Sequence, residues 1–179
     1  AFGRVVESVG PSIPGGRQEF GYDAFGRLKR VETGEARALT EFEYGADGQR
    51  VLRREGVDEV LTTYFGPLYE HRHEEDADVE TYRIMVGGQA LAERTITTEG
   101  DATTRYLHRN HLGSVEAVTD ERGNVVDRRS YTAFGEDITA TESESVLSFT
   151  GHRAEKDVGL GDMLGRFYDA KFGGFITPD

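Results

Sequence analysis

Cysteine is absent from the 179 residues, so neither disulfides nor thiolate chemistry is available, whatever the compartment. No apolar run approaches the roughly 18 residues that cross a bilayer. No signal-peptide pattern opens the chain, so no membrane span and no secretion signal of its own are expected. Bases are in the minority. Lys and Arg number 21 against 33 Asp and Glu, a net charge of -12. That charge repels phosphate backbones and anionic lipid, which argues against nucleic acid and membrane surfaces as partners. With four prolines and 23 glycines, punctuation falls to glycine, at a density that leaves little space for long helices. Apolar residues make up only 36%, but the chain carries 10% aromatics. It reads as many turns joining short strands.

Self-similarity is the strongest positive signal. Ala1-Phe2-Gly3-Arg4-Val5 returns as Ala24-Phe25-Gly26-Arg27-Leu28, now preceded by Tyr22-Asp23. A looser copy is Tyr44-Gly45-Ala46-Asp47-Gly48-Gln49-Arg50-Val51. The glycines at 3, 26 and 48 mark a period near twenty, the spacing of one repeated supersecondary unit. The first copy lacks its tyrosine, so the chain is expected to begin inside a repeat and to belong to a longer protein.

Within each repeat, Glu41-Phe42-Glu43-Tyr44 and Arg50-Val51-Leu52-Arg53-Arg54 alternate as half-buried strands do, with Ala46-Asp47-Gly48 supplying the turn. The same grammar recurs in Val118 to Val126 and in Arg129 to Gly135. The expected fold is all-β, an antiparallel β-hairpin meander, with Tyr22, Phe42 and Tyr44 in one sheet and hairpin tips at Gly26, Gly48 and Gly123. Phe42 and Tyr44 should share a face. The tyrosines at 22, 44, 64, 82, 106 and 131 are expected to stack as a ladder on one face.

Two stretches break the pattern. His71-Arg72-His73-Glu74-Glu75-Asp76-Ala77-Asp78 reads as a charged loop between strands. It has metal-binding residue types but neither zincin nor EF-hand spacing, so no metal site is assigned. Gly159-Leu160-Gly161-Asp162-Met163-Leu164-Gly165 has the wrong spacing for a dinucleotide loop, and no cofactor is expected. Glu136 to Ser145 is acidic and hydroxyl-rich, a solvated linker. The division expected is a repeat strip over 1–145 and a distinct C-terminal segment over 146–179.

Tyr22-Asp23-Ala24-Phe25-Gly26-Arg27-Leu28 resembles the YD repeat of Rhs proteins, Tc-toxin C components and teneurins. Asn110-His111-Leu112-Gly113-Ser114, Thr119 to Val126 and Tyr131 to Glu136 look like the Rhs-associated core. Phe149-Thr150-Gly151, Gly159-Leu160, Arg166-Phe167-Tyr168-Asp169 and Gly173 to Asp179 resemble the end of that core.

The resemblance implies a strip that spirals into a hollow shell. In bacterial members the shell encloses a C-terminal toxin domain, and its core forms a plug that acts as an aspartyl autoprotease. The expected partners are the remainder of the shell, that toxin domain and secretion-system components, with the protein secreted or at the cell surface. The motifs assign two site residues here, Arg166 and the first catalytic aspartate, Asp179. The second aspartate is expected about twenty residues further on, so this chain alone should be inactive. Gly161 and Asp162 stand where the family usually has two aromatics, Ala170 replaces a proline and Gly174 an arginine, losses expected to loosen the plug. Isolated sheet edges should favour self-association. The alternative function is a teneurin-like or wall-associated module that binds carbohydrate or protein at a surface.

Overall fold

The computed structural model describes residues 3–35, 38–56, 60–75, 77–139 and 145–177. Twelve strands follow one another in sheet order exactly as in the chain, each antiparallel to the next. They are β1 (Glu7–Val9), β2 (Arg17–Tyr22), β3 (Leu28–Thr33), β4 (Ala38–Tyr44), β5 (Arg50–Glu55), β6 (Val60–Phe65), β7 (Tyr69–Glu74), β8 (Ala77–Val86), β9 (Gln89–Thr97), β10 (Ala102–Arg109), β11 (Val115–Thr119) and β12 (Val125–Arg128). A second antiparallel sheet closes the chain, with β13 (Arg153–Glu155), β14 (Leu160–Asp162), β15 (Phe167–Asp169) and β16 (Gly174–Phe175). The meander expected from the repeats is therefore the fold, and the glycines at 26, 48 and 123 all sit at hairpin tips with positive φ.

The repeat has a structural unit that alternation alone does not predict. Tyr22 pairs with Leu28 while Gly21 pairs with Arg30, so Lys29 is an extra residue in the ladder. The same bulge leaves Val51 over between β4 and β5, Leu91 between β8 and β9, and Glu116 between β10 and β11. A bulge shifts the side-chain phase by one. Positions three apart, not two, then share the inner face. Leu28 with Val31 and Val115 with Val118 are fully buried in this way.

Three of the six tyrosines act by hydroxyl rather than by stacking. Tyr44 donates to Leu28 O at 2.5 Å and Tyr131 to Val115 O at 2.7 Å, each reaching back to the preceding inward position. Tyr22 donates to Val5 O in the same manner. Burial pushes the Tyr22 hydroxyl up to about 12, against the lowering charge of Arg4, so it stays a donor. The expected ladder of six rings does not form. Tyr82 and Tyr106 are exposed, and no ring pair among the described residues joins two of the six. The reason is phase, because the bulges redistribute the tyrosines between the two faces.

Turns are closed by short polar side chains. The Asp23 carboxylate accepts from the backbone of Phe25 and Arg27, both at 2.9 Å, and Asp120 accepts from Arg122 and Asn124. Burial pushes the Asp23 carboxyl up, but the hydrogen bonds and charge of Arg27 outweigh it and hold the group below the usual range. At Gly135, with φ near 90°, a Cβ would collide with the Phe149 ring, so the turn needs glycine twice over.

The charged stretch from His71 is mostly strand, not loop, since β7 runs to Glu74 and β8 starts at Ala77. Both faces of that hairpin can be polar because Arg72 is paired with Glu74 at 2.6 Å on one and His73 with Asp78 at 2.6 Å on the other. The expected linker is described only in part. Residues 140–144 lie outside the described residues, and Ser145, its last member, is buried with its carbonyl accepting from Arg129 at 2.7 Å.

Replacing Tyr44 by Phe removes a donor from a buried carbonyl while keeping the ring. The expected cost is about 1–3 kcal/mol, read as a lower urea midpoint with an unchanged slope. An unchanged midpoint would show that the hydroxyl contributes nothing.

Candidate functional site

The closing sheet packs on the inner face of the strip through two kinds of contact. One is apolar. Phe20, Leu28, Val31 and Phe42 form a single buried cluster with Val158, Leu160, Phe167 and Ile176. The Phe42 and Phe167 rings meet at 4.9 Å between centroids. Tyr44 packs against the same cluster, so Phe42 and Tyr44 share a face as their alternation requires.

The other contact is ionic and buried. One repeat on from Leu28 and Val31, the two inward positions of β5 are Arg50 and Arg53. Glu155, 2% exposed, enters between them from β13. Its carboxylate lies 2.6 Å from Arg50 Nη1 and 3.1 Å from Arg53 Nε. Arg50 also faces Asp162 at 3.3 Å, and Arg53 is paired with Glu55 and Asp157. Arg153 joins Glu70, which is held by Arg83 at 2.8 Å, and Arg83 reaches Glu93 at 2.9 Å. The Tyr64 ring lies under two of these cations, 4.5 Å from Arg50 and 5.0 Å from Arg153. Burial alone would push the Glu155 carboxyl up, but Arg50, Arg53 and Arg153 outweigh it and hold it below the ordinary carboxylate range. Asp162, one of the departures expected to loosen this segment, is thus tied to a buried arginine.

The two residues assigned by motif fare differently. Asp179 lies outside the described residues. Arg166 is half-buried just before β15, with its guanidinium carbon 3.8 Å from the centroid of the Phe175 ring. Asp169 is buried and accepts from the backbone of Lys171 and Phe172 at 2.9 and 3.1 Å, closing the turn into β16. Ile176 then enters the core, and its carbonyl accepts from Val5 N at 2.9 Å and the Tyr22 hydroxyl at 3.3 Å. The approach to Asp179 is therefore anchored to the strip. Sequence reasoning missed the Arg50–Arg53–Glu155 group. The signal was available, since adding the 22-residue spacing to Leu28 and Val31 lands on two arginines.

Elsewhere, His73 Nδ1 and His71 Nε2 converge on Asp78 Oδ1 at 2.6 and 3.2 Å on the exposed face of the β7–β8 hairpin. Among the described residues no group of three or more His, Asp or Glu side chains is arranged to hold a metal ion, and no helix is long and apolar enough to cross a membrane.

Comparison with known proteins agrees with this architecture. Residues 10–179 match the model of the Teneurin YD-shell family, and the chain belongs to that family. It is 25% identical over 171 residues to the tRNA3(Ser)-specific nuclease WapA of Bacillus spizizenii, covering 92% of this chain and 7% of that protein. It is 26% identical over 195 residues to double-stranded DNA deaminase toxin A of Burkholderia cenocepacia, covering 90% of this chain and 14% of that protein. The chain spans only a small part of the length of these relatives. The crystal structure of TcdB2-TccC3 superposes with a TM-score of 0.80 at 18% identity over 90% of this chain and 9% of that one, which shows a shared fold. A Photorhabdus luminescens Tc holotoxin pore does so with a TM-score of 0.79. The chain is a stretch of YD-shell related to Rhs and Tc toxin proteins.

Acid should act through Glu155. Its folded pKa is depressed, so its stabilisation is complete above the unfolded value of about 4.3 and is lost as the pH falls through the lower folded value. Glu55, raised by burial, works in the opposite sense and takes up its proton earlier. Urea titrations from neutral pH downward are expected to show a steep fall in stability below about pH 4. Glu155→Gln should already be weaker at neutral pH and show a shallower fall. Parallel curves for the two proteins would remove Glu155 from the acid response.

Proposed function

We propose that this chain is the closing part of an Rhs-type shell which, in the full-length protein, encloses a C-terminal toxin domain, and that residues 146–179 supply part of an aspartyl autoprotease that frees it. The observation that carries the reading is the docking of β13–β16 on the inner face of the strip, which anchors Ile176 three residues before Asp179. The strip over 1–145 is the wall and the segment over 146–179 the plug. The sheet ends at β1 and β12 are where further strands of the same shell would pair. The relatives named as a nuclease and a deaminase toxin support a toxin as cargo. Export by a secretion system, to the outside or to the cell surface, follows from the same reading.

The chemistry requires two carboxylates sharing one proton, one activating water and the other acting as acid. Asp179 is assigned to the first, and the second belongs to the full-length protein. The Arg166 fork would polarise the scissile carbonyl or orient a carboxylate.

Intact-mass spectrometry of the full-length protein tests this. A single self-cut downstream of Asp179 is expected, abolished by Asp179→Asn because an amide cannot share the proton. Arg166→Ala should slow the cut by about 10²-fold, and the present chain alone should show no proteolysis. Cutting that survives Asp179→Asn would remove that residue from the mechanism.

A further inference from the structure

We infer that Phe175 is a positioning residue for Arg166, holding the guanidinium by its face at the entrance to the segment that leads to Asp179. The inference rests on the protease reading above. The observation is the 3.8 Å separation between the Arg166 guanidinium carbon and the Phe175 ring centroid, well inside the roughly 6 Å reach of a cation–π contact.

The ring itself is fixed. Phe175 pairs across the ladder with Tyr168, whose ring meets it edge-on at 5.4 Å. Tyr168 is in turn held by its hydroxyl, which donates to Phe134 O at 2.9 Å, and by the Phe149 ring stacked at 6.5 Å. On the other side of Phe175 the backbone is clamped, since Ile176 is buried and its N–H donates to Phe167 O at 3.0 Å. Alternation sends Ile176 into the core and Phe175 to the opposite face, where Arg166 lies. A carboxylate in this place would fix the arginine equally well, but it would bind the in-plane N–H donors and neutralise the cation. An aromatic face makes no use of those donors. It orients the cation without itself neutralising the charge.

The neighbouring Phe172 provides the contrast. It is a large, exposed aromatic in the turn between β15 and β16, and its ring has no part in this arrangement.

Two measurements test the inference. In the present chain, arginine side-chain NMR should show one guanidinium, assigned to Arg166 by substitution, displaced by the ring current. Phe175→Leu should abolish the displacement and Phe175→Tyr should keep it. An undisplaced Arg166 signal in the unmodified chain would overturn the inference directly. In the full-length protein, Phe175→Leu should slow self-cutting by about fivefold or more, with the same final extent. Phe175→Tyr should restore the rate to within about twofold, and Phe172→Leu should leave it unchanged. A protein that cuts, stops with Asp179→Asn, yet cuts at the unmodified rate with Phe175→Leu overturns the role of Phe175 alone. A protein that never cuts, or cuts despite Asp179→Asn, overturns the protease reading and this role with it.

Discussion

The placement of the closing sheet depends on one buried carboxylate. Glu155 carries a full charge into the interface between two sheets and finds two guanidiniums already there, projected by adjacent inward positions of β5. Apolar contacts alone would hold Val158, Leu160, Phe167 and Ile176 against almost any greasy face of the strip. A buried charge tolerates only one place. Ion pairs of this kind contribute little net stability once desolvation is counted, but leaving one partner alone costs on the order of 3–5 kcal/mol. Wrong placements of the closing sheet are thereby penalised far more than the correct one is rewarded. The geometry that follows, with β14 against Arg50 and Ile176 held by Val5 and Tyr22, descends from that choice.

The arginines reach the interface because of the bulges. Without Val51 as an extra residue, Arg50 and Arg53 would point to opposite faces, and no single carboxylate could meet both. The same phase shift lets the hydroxyls of Tyr44 and Tyr131 find carbonyls of the preceding hairpin. The repeats that carry these tyrosines are thus locked back along the strip by a hydrogen bond, and the two under the closing sheet meet it through whatever stands at their two inward positions. These are apolar at Leu28 and Val31 and cationic at Arg50 and Arg53.

Much of this was legible in the sequence. The 22-residue period, the glycine tips and the shared face of Phe42 and Tyr44 follow from pattern and local stereochemistry. The aromatic ladder failed because simple alternation does not carry through a bulge, and Tyr82 and Tyr106 emerged on the exposed face. The strand through His71 and His73 was hidden because both its faces are polar, so it lacks the apolar alternation that marks a strand, and its charges are instead matched in pairs along β7 and across the β7–β8 hairpin. The ion network needed both ends. Arg50 and Arg53 could have been found by adding the period to Leu28 and Val31, but Glu155 lies about a hundred residues away and is indistinguishable in sequence from the other acids. Of the assigned site, Arg166 came with its motif, whereas its Phe175 partner is set by the pairing of β15 with β16.

The measurement that tests this account most directly is a double-mutant cycle in equilibrium unfolding between Arg50→Met and Glu155→Leu. If the carboxylate is the anchor, each single change is strongly destabilising and the pair together costs far less than their sum, a coupling of about 2 kcal/mol or more. Costs that add to within about 0.5 kcal/mol would contradict it, and would return the placement of the closing sheet to its apolar contacts.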